Sequence, residues 1–375
     1  MNATGIIFAN LHEKNIPELT RGRTIGSIPF GCRYRLIDFT LSNMVNSGIT
    51  DVRVVTQYNY QSLMDHIGSG KDWDLARHSG GIKVLPPNFI GGQGVQTVRS
   101  RLESLISVSE SVAHIDTEYV VMADCDGICN LDYTDMIRDH IAHHADITMM
   151  VKRIRLTGKV ADRMTLIDAD EDGRITGIAM NPVYAEGEKE VFVNVTVIST
   201  AYLQSVVQDA IAHGYTSLTL DVMMKNIGKR VYRVYRYAGP FTNISSLSEY
   251  FDCSMELLHN PAFRRSLFGI EERPILTKVR NSAPVRYAEG CTVKNSLIAD
   301  GCRIDGNVEN CILFRGVKIG RGATVKNCIL FQDTVIGENV FMSNVISDKN
   351  AVVRDGSVLA GHALKPYYID KNLML

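Results

Sequence analysis

The sequence lacks several features that would assign it to a specialised class. No apolar run reaches the roughly 18–20 residues of a membrane span. The first ten residues, MNATGIIFAN, have neither the basic segment nor the cleavage-type end of a signal peptide. The eight cysteines are scattered and form no CxxC pair. We therefore expect a cytoplasmic protein with reduced thiols and without membrane association.

An excess of charge of either sign is also missing. The net charge of −1 gives no bulk electrostatic reason to bind nucleic acid or an anionic membrane. The composition is 45% hydrophobic and 22% charged, with one Trp, which is ordinary for a globular protein. A length of 375 residues fits about two domains.

Residues 1–245 predict an α/β domain. Apolar runs at 4–9, 51–57, 118–124 and 146–153 predict strands, and helical patterns over 36–45, 98–108 and 136–141 lie between them. This alternation indicates a mostly parallel sheet covered by helices. Ligands of such sheets lie outside the carboxyl ends of the strands, which places residues 9–23 and 124–132 on the site side. Residues 246–275 are predicted to be a helical connector.

Residues 276–375 show a repeat. The segments VKNSLI, VENCIL, VKNCIL and SNVI place asparagines at 295, 310, 327 and 344, with spacings of 15, 17 and 17 residues. A period near three hexads with one Asn per period predicts a parallel β-helix in which the asparagines form a ladder. Cys311 and Cys328 are predicted to be small core residues. An acyltransferase is an alternative for such a β-helix, but His362 is the only histidine after His259.

The stretch IPFGCRYRLIDFTLSNMVNSGI at 28–49 resembles the bacterial glucose-1-phosphate adenylyltransferases, or ADP-glucose pyrophosphorylases. Shorter segments at 56–58, 66–67, 73–75 and 84–87 are similar to the same family. The resemblance implies a Rossmann-like nucleotidyltransferase domain with a mostly parallel sheet. It also implies that the β-helix that follows is of the left-handed hexapeptide type.

The sequence departs from this family where the resemblance places substrate contacts. Residues 9–18 contain no glycine, so side chains such as Asn10 and Leu11 would hold the backbone away from a triphosphate, and Glu13 would repel it. Ile25 stands where the family has a phosphate-neutralising lysine. Further degenerate positions, in segments that match other family motifs, are Gln93, Val95, Asn181 and Asn243.

One acidic motif partly survives. Asp124 or Asp126 could occupy the metal position that the resemblance implies, and a gap of one residue in the alignment leaves open which. A single carboxylate without a partner is a poor site for Mg²⁺. We therefore regard both as vestigial candidates for catalysis.

Retained family segments combined with altered substrate positions are similar to the pattern of the non-catalytic D-type regulatory subunits of glycogen biosynthesis in Gram-positive bacteria. The resemblance implies a chain that pairs with a catalytic adenylyltransferase subunit and enhances or retunes ADP-glucose synthesis. It implies no cofactor of its own, since Mg²⁺ is required by the catalytic partner, and the isolated chain could form a homodimer. The alternatives are a weak adenylyltransferase that transfers AMP from ATP to glucose 1-phosphate, and a purely structural subunit.

Two clusters of basic residues remain. Arg21, Arg23 and Arg33 lie in a stretch without acids between Glu18 and Asp38, and Lys278 and Arg280 lie where the domains should meet. They could bind a phosphorylated effector or form a subunit interface, or they could pair with carboxylates such as Asp38 and Asp51. His140, His143 and His144 fall on one predicted helix, where a solvated face is favoured over a metal site.

Overall fold

The computed structural model describes residues 2–9, 11–86, 98–159 and 164–375. The chain forms two compact units, one of residues 1–11 and 39–241 and the other of residues 12–38 and 242–375. This division differs from the contiguous boundaries predicted at 245 and 275. Residues 12–38 belong with the C-terminal residues because their polar groups bond there, as Arg23 does with Asp348.

A nine-stranded sheet forms the centre of the first unit. Its strands are β1 (Ala3–Phe8), β2 (Asp51–Val55), β3 (Gly81–Leu85), β4 (Tyr119–Asp124), β5 (Ile147–Lys159), β6 (Thr165–Ala169), β7 (Ile175–Met180), β8 (Tyr184–Ser199) and β9 (Tyr232–Arg236). The order is β7-β6-β8-β4-β1-β2-β3, and β5 pairs with β8 and β9. Strands β3, β2, β1 and β4 are parallel, as predicted. Strand β8 is antiparallel to β4, β5 and β6, which was not predicted.

Helices accompany this sheet. Their bounds are Leu36–Asn46, Gln61–Ile67, Arg101–Ser107, Ser109–Ala113, Thr134–Ala142, Thr200–His213 and Met224–Asn226, with a 3₁₀ turn at Lys71–Trp73, a π-helical turn at Leu218–Met223 and a short strand at Gly127–Ile128. All six residues of β1 are buried, as expected for a strand covered on both faces. A Cβ at Gly5 would lie 3.0 Å from Sδ of Met44, so glycine lets the helix Leu36–Asn46 approach the sheet closely.

The second unit contains a left-handed parallel β-helix, as the resemblance implied. Three parallel sheets of five strands form its sides. The first sheet has Arg286–Tyr287, Arg303–Ile304, Lys318–Ile319, Val335–Ile336 and Val352–Val353; the second has Thr292–Lys294, Asn307–Glu309, Thr324–Lys326, Phe341–Ser343 and Val358–Ala360; the third has Leu297–Ile298, Ile312–Leu313, Ile329–Leu330, Val345–Ser347 and Tyr367–Ile369.

The predicted asparagine ladder is present. Nδ2 of Asn295 donates to Oδ1 of Asn310 at 2.8 Å, and Nδ2 of Asn310 donates to Oδ1 of Asn327 at 3.2 Å. Asn344 extends the series by donating to the Gly361 carbonyl at 3.3 Å. All four asparagines have φ between 40° and 54°, a left-handed conformation that Asn tolerates. Cys311 and Cys328 are fully buried free thiols, which confirms their prediction as core residues.

The remaining elements of the second unit are short, apart from two helices. They are the 3₁₀ turns Glu13–Asn15 and Ile25–Ser27, the helices Pro17–Thr20, Leu247–His259 and Pro261–Phe268, and the strands Pro29–Phe30, Tyr34–Arg35 and Thr242–Asn243. The Tyr250 hydroxyl donates to the Pro29 carbonyl at 2.6 Å, and Tyr34 stacks on Phe268 with ring centroids 4.9 Å apart. Across the described part of the chain, no helix has the length and apolar character needed to span a membrane.

Candidate functional site

The carboxyl ends of β1 and β4 meet at one edge of the sheet. Phe8, the last residue of β1, is in register with Asp124, the last residue of β4. The Asp124 carboxylate is 2% exposed, and its backbone carbonyl accepts a hydrogen bond from Oγ1 of Thr40 at 3.1 Å. Because parallel sheets bind ligands outside this edge, Asp124 occupies a position where the fold favours chemistry.

Arg101 binds the Asp124 carboxylate through both arms of its guanidinium group. Nε donates to Oδ1 at 2.9 Å and Nη2 donates to Oδ2 at 2.5 Å. The Arg101 guanidinium also lies over the Phe192 ring, with Cζ 5.5 Å from the ring centroid. Two parallel bonds between a guanidinium and a carboxylate form a strong, directional pair.

Capping hydrogen bonds fix the start of the helix whose first residue is Arg101. Oγ of Ser100 accepts a hydrogen bond from the Glu103 backbone N–H at 3.1 Å, and the Glu103 carboxylate accepts one from the Arg99 N–H at 2.6 Å. This arrangement is close to a capping box. The Ser-x-x-Glu spacing in the sequence could have placed Arg101 at the first helical position, but sequence reasoning missed its role because Asp124 is 23 residues away.

The structure brings the two acidic candidates together. Asp126 is 1% exposed, and one of its carboxylate oxygens lies within 4.8 Å of a carboxylate oxygen of Asp124. Mg²⁺ requires several oxygen ligands in near-octahedral geometry. Both Asp124 oxygens already accept bonds from a cation, so the residues present do not fit a magnesium ion at Asp124.

Comparison with known proteins assigns the chain to a family. A model of the nucleotidyl transferase family matches residues 14–224, and one described as GlmU-like, C-terminal hexapeptide matches residues 283–364. Glycogen biosynthesis protein GlgD of Bacillus subtilis (strain 168) is 33% identical over 99% of this chain and 96% of its own length. Glucose-1-phosphate adenylyltransferase of Thermotoga maritima is 32% identical over 86% of this chain and 76% of its own length. The chain belongs to the glucose-1-phosphate adenylyltransferase family.

Within this family the chain is similar to the GlgD proteins. GlgD of Geobacillus stearothermophilus is 34% identical over 86% of this chain and 82% of its own length. These relatives confirm the family resemblance, which the Bacillus subtilis protein shares over nearly the whole chain. The two kinds of relative carry different names, one a glycogen biosynthesis protein and the other an adenylyltransferase.

The positions that depart from the family's substrate motifs lie in both units. Leu11 is buried in the core of the first unit, and Asn181 is exposed there with φ of 49°. In the second unit Ile25 is 1% exposed and Asn243 is partly buried. Asn10, Gln93 and Val95 lie outside the described residues. A buried aliphatic Ile25 offers no charge to a phosphate.

Glu13 differs from its expected electrostatic role. Its side chain is largely buried, and this burial raises the pKa of the carboxyl to about 8, although a hydrogen bond with the Ile25 backbone acts in the opposite direction. At neutral pH the group is therefore mostly protonated. Burial therefore acts against the expected repulsion between a charged Glu13 and phosphate.

The three N-terminal arginines predicted to bind an anion have different environments. Arg23 is buried, and its Nη2 lies 2.6 Å and 2.7 Å from the two oxygens of Asp348. Arg21 is exposed and pairs with Asp370 at 3.2 Å. Arg33 is half-exposed, 3.9 Å from Asp300. The carboxylates in these three pairs are contributed by the β-helix.

The other basic candidates are less enclosed. Lys278 is partly buried and Arg280 is exposed, in a stretch without helix or strand. A cation that sequence reasoning missed is Lys349, beside Asp348. Burial, with Arg35 and Arg23 nearby, lowers the pKa of the Lys349 ammonium to about 7. A role for these groups in effector binding stays a prediction.

The histidines do not share one helix. The helix ends at Ala142, so His144, with φ of 47°, lies beyond it and does not share a helix face with His140. His140 is buried, its Nδ1 lies 2.8 Å from Oγ1 of Thr148, and burial lowers the pKa of its imidazole to about 4. His140 is therefore neutral at physiological pH and serves the core.

Proposed function

We propose that this chain is a non-catalytic regulatory subunit of glucose-1-phosphate adenylyltransferase in glycogen biosynthesis. In the cytoplasm it would pair with a catalytic subunit and enhance or retune that subunit's synthesis of ADP-glucose, with a phosphorylated metabolite as a candidate effector. The GlgD relatives and the adenylyltransferase relatives support a role in glycogen synthesis.

The observation that carries the proposal is the pair between Arg101 and Asp124. Adenylyl transfer brings together a triphosphate and a sugar phosphate, and it depends on carboxylates that hold a divalent cation. Here the carboxylate at the end of β4 is held by a guanidinium, and the position of the phosphate-neutralising lysine is taken by the buried Ile25. Both changes remove charge interactions from the reacting phosphates.

The runner-up is a weak adenylyltransferase that uses Asp126. Asp126 is buried at the same edge of the sheet, which is the specific observation that favours this reading. A third reading is a subunit that stabilises the catalytic partner without altering its control.

The test compares three preparations: this chain alone, the catalytic subunit alone, and the co-expressed pair. Each receives ATP, Mg²⁺ and glucose 1-phosphate, and ADP-glucose formation is measured. We expect no turnover by this chain alone. We expect the pair to form clearly more ADP-glucose than the catalytic subunit alone. Robust turnover by this chain alone would overturn the proposal.

Two matched variants sharpen this comparison. A pair that contains Asp126→Asn in this chain should keep its gain, whereas the weak-enzyme reading predicts that this chain's contribution disappears. A pair with a catalytically inactive partner should form no ADP-glucose. Size-exclusion chromatography confirms that each pair assembles.

Titration of the pair with phosphorylated metabolites separates regulation from structural support, because a structural subunit leaves the effector response unchanged.

A further inference from the structure

We propose that Arg101 is a built-in replacement for a divalent cation at Asp124. Its guanidinium supplies, from the chain itself, the positive charge that this buried carboxylate requires. The local structure near Asp124 is then independent of divalent metal. This inference rests on the same pair of residues as the proposed function.

The need for a cation follows from the burial of Asp124. An ionised carboxylate that is 2% exposed is strongly unfavourable unless a positive charge or a set of hydrogen-bond donors compensates it. A second carboxyl group, that of Asp126, lies within 4.8 Å of it. Arg101 contacts both oxygens of Asp124, so its charge is delivered where a bound cation would deliver it.

Arg101 is held in place by its own surroundings. The capping interactions of Ser100 and Glu103 fix the start of its helix, and the Phe192 ring supports the guanidinium plane. The Arg101 side chain is only 22% exposed. A divalent ion at Asp124 would meet this guanidinium at close range, and like charges at that distance repel strongly in a site of low dielectric constant.

The test measures whether stability depends on divalent metal, using the full chain. Arg101→Met removes the charge and keeps an apolar stem on Phe192, and Arg101→Met with Asp124→Asn removes both charges. Arg138→Met is the control, because Arg138 forms an exposed pair with Asp135. Thermal unfolding is recorded in EDTA and in millimolar MgCl₂ or MnCl₂, and bound Mn²⁺ is measured by electron paramagnetic resonance.

We expect the unfolding midpoint of the wild-type chain to be the same in EDTA and in Mg²⁺. The Arg101→Met variant should unfold at least about 5 °C lower in EDTA, and divalent metal should restore part of this loss and bind at the freed carboxylate. The double variant should regain stability without metal and lose the metal response. The control should behave as the wild type does.

Three outcomes would overturn the inference. They are a wild-type midpoint that rises with Mg²⁺, an Arg101→Met variant with the stability of the wild type, and an Arg101→Met variant that neither metal nor Asp124→Asn rescues. If Arg101→Met does not fold in EDTA, the double variant decides, because it folds only if the charge of Asp124 in the absence of Arg101 caused the loss. These measurements do not involve a catalytic partner. A failure to activate that partner would therefore contradict the proposed function alone.

Discussion

Nη2 of Arg23 lies within hydrogen-bond distance of both carboxylate oxygens of Asp348, although the two residues are 325 positions apart in the sequence. Each side chain is 5% exposed. The Tyr368 hydroxyl lies 2.9 Å from Oδ2 of Asp348 and 2.7 Å from the Glu18 carbonyl oxygen. These bonds attach residues 12–38 to the β-helix within the second unit.

Removing Arg23 should destabilise this unit more than removing a neighbouring exposed arginine. Arg23→Met leaves Asp348 buried without its cation, and we expect a loss of about 3–5 kcal/mol in the free energy of unfolding. Arg21→Met, which breaks an exposed pair with Asp370, should cost less than about 1 kcal/mol. Urea unfolding followed by circular dichroism measures both, and equal effects would contradict the expectation.

Lys349 should make stability rise with pH above neutrality. Its folded-state pKa of about 7 lies below the unfolded value of 10.5, so between these values the unfolded chain binds more protons than the folded chain. Stability therefore increases from pH 7 towards pH 10.5. Lys349→Met should be more stable than the wild type at pH 6, and the difference should shrink towards pH 10. Lys318→Met, at an exposed strand position, is the control and should show no such trend.

His140 should make stability fall in acid. Its pKa of about 4 in the fold lies below the unfolded value of 6.5, so the unfolded chain takes up the proton first. Stability is then lost as the pH falls from 6.5 to 4. Comparison of unfolding midpoints at several pH values should show a smaller acid loss for His140→Gln than for the wild type. The same substitution at the more exposed His143 is the control.

The asparagine ladder predicts an order among substitutions at Asn310. This residue accepts from Asn295, donates to Asn327 and has φ of 54°. Asn310→Gly loses both side-chain bonds but keeps the left-handed backbone without strain. Asn310→Ala loses the same bonds and also strains the backbone, because alanine does not favour the left-handed conformation. It should therefore be about 1–2 kcal/mol less stable than Asn310→Gly. Thermal unfolding that ranks alanine equal to or above glycine would count against this explanation.

The sequence predicted elements whose signal is local. The apolar runs that became β1, β2 and β4 are buried on both faces, so their composition alone identifies them. The β-helix was predictable because successive coils repeat an Asn with positive φ, which is followed by buried residues after Asn310, Asn327 and Asn344. The antiparallel pairing of β8 was not predicted. Its YAEGEKE segment carries charged side chains on an exposed stretch and gives no apolar pattern.

The candidate site was only partly predictable. Asp124 and Asp126 were found because they lie in a segment that resembles an acidic strand-end motif of the family. Arg101 was missed because its partner is set by how β4 and the helix Arg101–Ser107 pack, which no spacing in the chain encodes. The assignment of residues 12–38 to the second unit was missed for the same reason, since Asp348 follows only at the far end of the chain.

The pairing of Arg23 with Asp348 also sets an order of events during synthesis. At the usual 5–20 residues per second, Arg23 is made about 15–65 s before Asp348. The second unit therefore cannot close until Asp348 has been made, and until then the groups of residues 12–38 that bond to the β-helix stay exposed. A fragment that stops before the β-helix would keep those groups exposed permanently.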